Sequence, residues 1–355
     1  MTAASTAFAD RLGLALPLIQ APMAGFQDVA LAAAVGHAGA MGSLPGATLA
    51  PPALRDGVAT LREARTGPVN LNFFCHAPPV RDPAREAVWR DALAPYYREL
   101  GVDVASIVDG PGRLPFDEAA ADAVEAIRPE VVSFHFGLPP APLLERVRRT
   151  GAQVWSSATT VAEALWLEAQ GVDAVIAQGA EAGGHRGVFL FEGERPDVST
   201  QVGTMALLPQ VVAAVRVPVI AAGGIADAAG VAAALRLGAS AVQLGTAFLL
   251  CPEATTGAVH RAALQSAAAR VTALTNVFSG RPARSIVNRL MRELGAISAL
   301  APAFPSAVNA IAPLRAAAEA AGSGDFSPLW AGQNASACRA VPAAQVVREI
   351  AAGVG

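Results

Sequence analysis

VDAVIAQGAEAGGHRG, Val172–Gly187, runs from an apolar segment into a loop holding four glycines. The apolar part, Val172–Ala177, reads as a buried parallel strand. Gly179, Gly183, Gly184 and Gly187 leave the backbone bare, as a loop must be when it lies against a ligand. Glu181, His185 and Arg186 sit among them. Bare backbone beside a titratable imidazole at a strand's end predicts a catalytic loop, with a flexible surface loop as the bland alternative.

Outward from this join, strand-like and helix-like segments alternate in both directions. Strands are expected at Pro17–Met23, Gly39–Ser43, Pro68–Cys75, Glu130–Phe136, Gln153–Ser157, Val217–Ala222 and Ala241–Phe248. Helices are expected over Asp28–Ala38, Pro52–Arg65, 84–100, Glu118–Ile127, Pro142–Thr150, Val161–Gln170, Leu207–Val215 and Ala228–Leu237. Val102–Val108 reads as an extra strand or a loop, and Phe191–Thr200 as a polar excursion. Strands alternating with helices of 10–15 residues mean βαβ units and a parallel sheet. Eight such units fit between about Leu16 and the helix after Pro252. That count favours an α/β protein of the (β/α)8 TIM-barrel type over an open doubly wound sheet. GHAGAMG (Gly36–Gly42) has the wrong spacing for a dinucleotide fingerprint and follows a helix. The expected organisation is a barrel over 1–269 and a mainly helical extension over 270–355. The extension's SGRP, APAFPSA and GSGDFSP segments suggest that it wraps the barrel and completes the active-site end.

Composition narrows the function classes. The 355 residues are 53% hydrophobic and 15% charged, a folded chain with a large core. A net charge of −3, no Lys/Arg cluster and few aromatics argue against nucleic acid. No uninterrupted apolar span of about 18 residues is present, so no transmembrane helix is expected. Cys75, Cys251 and Cys338 are far apart and odd in number, which argues for a reducing compartment and a cytoplasmic location. No His/Cys/Asp cluster has ligand spacing, so no metal site is expected.

In a β/α barrel the active site lies at the C-terminal ends of the strands, and phosphate usually binds after strands seven and eight. Those loops are AAGGIAD (Ala221–Asp227) and QLGTAFL (Gln243–Leu249). Gly223 and Gly224 free backbone N–H groups for an anion, and Gly245-Thr246 offers an amide and a hydroxyl. Phosphorylated substrates, flavin mononucleotide and simple tight turns all produce such loops. Pro22 and Met23 end the first strand with exposed backbone. Asn70 and Gln178 place amides within apolar strands, where each can meet a planar heterocycle or satisfy loop backbone. His185 can exchange a proton near neutrality or, as a cation, hold an anion. His135, in SFHFG, is a candidate substrate contact against a satisfied core histidine.

These motifs carry a resemblance. QAPM, PVNLNFFC, AQGAEAGGHRG, PVIAAGGIAD, AVQLGTAFL and TNVFSGRPAR together resemble the nitronate monooxygenase family, in order from about residue 12 to the WAGQ at Trp330–Gln333. The resemblance implies an FMN-containing barrel that oxidises alkyl nitronates, or nitroalkanes, with molecular oxygen to a carbonyl compound and nitrite. It implies flavin contacts at Asn70, Gln178, Gly183, Gly224 and Gln243-Leu244-Gly245-Thr246, with Pro22 and Met23 beside the ring. It implies His185 as the catalytic histidine. Asn72, a second asparagine in the same strand, competes with Asn70 for the flavin contact. Two rival readings share the fold: an NAD(P)H-dependent flavin reductase of quinones or enoyl thioesters, and a non-flavin isomerase or lyase holding a substrate phosphate.

Overall fold

The computed structural model describes residues 1–355 apart from 79, 81, 108, 109, 111 and 194. Eight parallel strands form the barrel wall: β1 Leu18–Gln20, β2 Gly42–Leu44, β3 Val69–Phe74, β4 Val131–His135, β5 Gln153–Ala158, β6 Ala174–Gln178, β8 Val219–Ala222 and β9 Ala241–Leu244. The short β7, Gly184–His185, belongs to a second sheet. β1 pairs with β9, and a parallel bridge from Ile19 to Met41 joins β1 to the start of β2, so the ring closes.

Period-two alternation decides which side chains look inward. In β8, Val219 and Ala221 pack outward against the helices, whereas Ile220 and Ala222 face the barrel interior. The same parity in β6 sends Val175 and Ala177 outward and Ala174 and Ile176 inward, which leaves Gln178 inward at the strand's end. In β9 it turns Val242 and Leu244 outward and Ala241 inward. The lower interior is filled by Ile19, Met41, Val131, Trp155 and Ile220. A capped N-terminal helix, Ala3–Leu12, closes that end, with Phe8 against Trp155 at 5.6 Å. The apolar floor leaves the C-terminal end of the strands as the open one.

Three expectations change. The eighth strand ends at Leu244, and Thr246–Phe248 is a 3-10 turn rather than strand. The helix filling the eighth position is not the one after Pro252 but the C-terminal Ala343–Ala351. It lies between helices Val29–His37 and Ala228–Arg236 and buries Val346, Val347 and Ile350 in the main core. Residues 270–342 are therefore inserted within the last β/α unit. Within them β10 Thr272–Thr275 and β11 Ala283–Ile286 form an antiparallel ribbon, and β11 pairs with β7, setting Ala283 opposite His185. Finally, in Val102–Val108, read as an extra strand or a loop, Val104–Ser106 is a 3-10 turn and not a strand, and Val108 lies outside the described residues. So do residues 79 and 81 of the loop after β3 and 194 of the polar excursion.

A second core joins helix Pro83–Leu100 to helix Ala307–Ala320 through Trp89, Leu93, Tyr97, Ile311 and Leu314. The Tyr97 hydroxyl donates to the Ala310 carbonyl at 2.7 Å.

Candidate active site

A cavity of about 1300 Å³, counting its open mouth, occupies the C-terminal end of the barrel. Its floor is the upper interior layer: Asn72, Ser133, Ser157, Ile176, Ala222 and Gln243. Of the residues singled out in the sequence, Pro22, Met23, His135, Gln178, Gly183, His185, Gly223, Gly224, Gln243, Gly245 and Thr246 line it together. Asn70 and Leu244 do not. Asn70 faces inward one layer too deep, fully buried and donating to Ser43 Oγ at 3.0 Å. Asn72, two residues further along the same face, reaches the cavity and donates to Ser133 Oγ at 2.9 Å. Leu244 points into the outer core, and only its carbonyl is near, accepting from Ala21 N–H at 2.7 Å.

The loop after β6 is held by its own side chains. Arg186 is fully buried; it donates to Gln201 Oε1 at 2.8 Å, to the Gln178 carbonyl at 2.7 Å and to the Gly179 carbonyl at 2.5 Å. Gln178 accepts from Gly187 N–H at 2.8 Å and donates to the His185 carbonyl at 3.1 Å. Glu181 accepts from the N–H of Thr204, at the start of helix Thr204–Ala214, and from its hydroxyl at 2.8 Å. A carboxylate there complements the helix dipole. Arg186 and Glu181 thus brace the loop.

The insert seals the loop from above. Gln333 N–H donates to the Glu181 carbonyl at 2.9 Å, Gly332 N–H to Thr246 Oγ1 at 3.0 Å, and Asn334 Nδ2 to the Gly224 carbonyl at 3.2 Å. One short segment therefore touches all three ligand-facing loops. Gly183 permits this: a Cβ there would meet Gly332 N at 2.6 Å and Ala331 C at 2.7 Å.

His185 sits among the rings of Phe304 (5.3 Å), Trp330 (5.4 Å), Phe136 (6.0 Å) and Phe74 (6.4 Å). Burial holds its pKa well below the ordinary histidine value, and the nearby charges of Arg113 and Arg281 push the same way. The ring is neutral at neutral pH. Nε2 lies 2.8 Å from Ser279 Oγ, and Nδ1 has no hydrogen-bond partner among the described residues. Ser279 Oγ is also 3.2 Å from the Arg281 carbonyl, which can only accept. With the serine proton directed there, Nε2–H donates to Ser279 and Nδ1 carries the lone pair.

His135 is engaged differently. Its Nε2 is 3.1 Å from the His185 carbonyl, so the proton is on Nε2, and Nδ1 accepts from Ser157 Oγ at 2.8 Å. Burial pushes its pKa down to about 3. Both nitrogens are occupied, and only the edge of the ring is left for the cavity.

Two glycines form an anion-ready turn. Gly223 and Gly224 have φ of 119° and 71°, and among the described residues neither N–H meets a protein acceptor. On the neighbouring strand β9, where Gln243 pairs with Ala222, Gln243 Oε1 is buried without a hydrogen-bond donor. Among the described residues no group of three or more potential ligands could hold a metal ion, and no helix is long and apolar enough to cross a membrane.

Reading single motifs missed Arg113, Trp330 and Asn334, which line the cavity, and Ser279, which holds His185. Ser279 and Trp330 lay within quoted motifs but had no strand-end position to mark them. Arg113 had no motif at all.

Every wall of the cavity comes from the strands' C-terminal ends, the segments that follow them, or the insert above them, where β/α-barrel enzymes place their chemistry. The protein is an enzyme of that class. The chain belongs to the nitronate monooxygenase family, whose profile matches residues 5–353. It is 44% identical to a nitronate monooxygenase of Pseudomonas aeruginosa over 97% of each chain. It also resembles a solved nitroalkane oxidase from Streptomyces ansochromogenes, with a TM-score of 0.89 and 39% identity over 98% of this chain and 97% of that one. FabK from Thermotoga maritima is more distant, with a TM-score of 0.70 and 27% identity over 97% of this chain and 94% of that one.

Proposed function

We propose that the protein oxidises alkyl nitronates, such as propionate 3-nitronate, with molecular oxygen to a carbonyl compound and nitrite, using FMN bound along the C-terminal face of the barrel. The observation that carries this reading is a neutral His185, fixed at Nε2 and open at Nδ1, on the wall of the cavity that it shares with the Gly223–Gly224 turn and Gln243.

The residues present fit a flavin mononucleotide. The buried Gln243 Oε1 wants an N–H donor, which the imide edge of a flavin ring offers. The Gly223–Gly224 turn, with Thr246 nearby, suits a single phosphate. Gly245 lies against Ala21 and Met23, where a Cβ would come within 3.3 Å of Ala21 Cβ, so a larger residue would press on the ring's neighbourhood. Pro22, Met23, Gln178 and Gly183 complete the cradle, with Asn72 taking the place first assigned to Asn70. Bound FMN would supply the electron-accepting chemistry.

The chain supplies position, charge and dryness. His185 Nδ1 faces the substrate: its lone pair can take the α-proton of a neutral nitroalkane, and the protonated ring can then hold the nitronate anion. His135 and Gln178 act through backbone, fixing the His185 carbonyl from two sides. Phe74, Phe136, Phe304 and Trp330 keep water from the reacting carbon. Three free thiols, Cys75, Cys251 and Cys338, support a cytoplasmic location.

The test is to mix purified protein with propionate 3-nitronate in air and measure nitrite. The expected result is nitrite and a carbonyl product without added NADH. NADH oxidation with a quinone and no nitrite would support the reductase reading instead, and a colourless protein that FMN does not rescue would support the isomerase or lyase.

A further inference from the structure

Arg113 enters the cavity wall from the segment between β3 and β4. Its side chain is partly buried, and that burial lowers its pKa with no acid acting against the shift. Its guanidinium lies 5.7 Å from the Phe74 ring centre, near the outer limit of a cation–π contact. The structure gives this charge no hydrogen bond or ion pair with any described residue. Arg281, a nearby cation outside the cavity lining, differs: it stacks 4.0 Å over Phe136, donates to the Val188 carbonyl and has Glu163 acting on it. A partly buried charge without a partner is costly, so Arg113 is built to receive one.

Its place relative to His185 is fixed. His76 Nε2 lies 3.0 Å from the Arg113 carbonyl and donates to it. The His76 ring packs on Phe304 at 4.8 Å, and Phe304 packs on His185 at 5.3 Å. Of the charges acting on His185, that of Arg113 has the largest effect. A substrate with one end at His185 therefore has a cation within the same cavity for its other end.

We propose that Arg113 is a specificity residue that holds a second anionic group, a carboxylate, on a nitronate whose reacting end lies at His185. This rests on the nitronate reading of the cavity and adds to it the residue that selects among nitronates. A guanidinium suits a carboxylate because its N–H donors match the two oxygens.

The test compares propionate 3-nitronate with propyl 1-nitronate, which has the same carbon count and no carboxylate, in the native holoenzyme, Arg113→Met and Arg113→Lys. The ratio of the two kcat/KM values should fall about 10- to 100-fold in Arg113→Met, the range of a charge-assisted hydrogen bond, and recover in part in Arg113→Lys. Equal losses on both substrates, leaving the ratio unmoved, would overturn the assignment. Calorimetric titration gives a readout without turnover: succinate should bind the native protein more tightly than butyrate, and Arg113→Met should lose that preference. Equal binding of the two acids by the native protein would also overturn it. Absence of nitrite from both nitronates would instead refute the nitronate reading, and the succinate titration would still decide the role of Arg113.

Discussion

Replacing Gly183 by alanine separates steric from conformational reasons for a glycine. Gly183 does not have the positive φ that strains other residues, so the substitution costs nothing in the backbone itself. The new Cβ would lie 2.6 Å from Gly332 N, 2.7 Å from Ala331 C and 3.0 Å from Ala331 Cα, all main-chain atoms. Ordinary contact begins at 3.4 Å, so the segment must retreat by about 0.8 Å. That movement strains three hydrogen bonds, from Gln333 N, Gly332 N and Asn334 Nδ2. At ~1 kcal/mol each, with ~1–3 kcal/mol for overpacking, the loss is about 4–6 kcal/mol. For a chain of this length that lowers the melting temperature by about 5–8 °C. A shift approaching 1 Å over the site also costs roughly 100-fold in turnover. The neighbouring Gly184→Ala is the control. Its φ is 73° and its Cβ would meet nothing within 4 Å, so it pays only left-handed strain, ~1–2 kcal/mol. Calorimetric melting and nitrite release are measured on both variants. A Gly183→Ala protein that melts no lower than Gly184→Ala would refute the idea that residues 330–334 seal the loop.

Two further predictions follow from buried polar groups. Arg186→Met removes the side-chain donor of the Gln178 carbonyl and leaves the Gly179 carbonyl only the Ala182 N–H, which costs about 1–3 kcal/mol; denaturant unfolding should show that loss together with reduced turnover, and unchanged stability would contradict the bracing role. Stability should also fall on acidification. Burial holds His135 near 3, His260 near 4 and His185 well below its ordinary value, whereas all three titrate near 6.5 in the unfolded chain. Above pH 6.5 neither state takes these protons. Below it the unfolded chain binds protons that the folded protein refuses, so each histidine costs ~1.4 kcal/mol per pH unit. Between pH 6.5 and 5 the three together remove about 5 kcal/mol, and a melting temperature constant from pH 7 to 5 would contradict this.

The barrel was legible because its strands are short apolar runs punctuated by glycine and proline, and because the glycine loops fall at strand ends. What parity could not provide was depth: Asn70 and Asn72 share one face of β3, and only the closed ring shows which reaches the cavity. Leu244, placed at the flavin by the resemblance, turns outward because its neighbour Gln243 takes the inward position. Tertiary pairing was the other hidden element. No local pattern announces that His185 pairs with Ala283, or that the last helix of the chain fills the eighth position of the barrel. The N-terminal helix Ala3–Leu12 was also not read, although Thr2 and Ser5 form its capping box. Arg113 lies in a segment with no periodic pattern, so its role emerged only from what surrounds it.

The central claim is that His185 acts on a nitronate in a flavin-bearing cavity. The most direct measurement is nitrite release by the native protein and by His185→Asn, each checked for bound FMN by its absorption. Native protein should release nitrite as oxygen is consumed, and His185→Asn should keep its yellow colour while losing about 10²–10⁴-fold in kcat/KM on a neutral nitroalkane. Undiminished nitrite release by a yellow His185→Asn, or none from the native protein, would contradict the account.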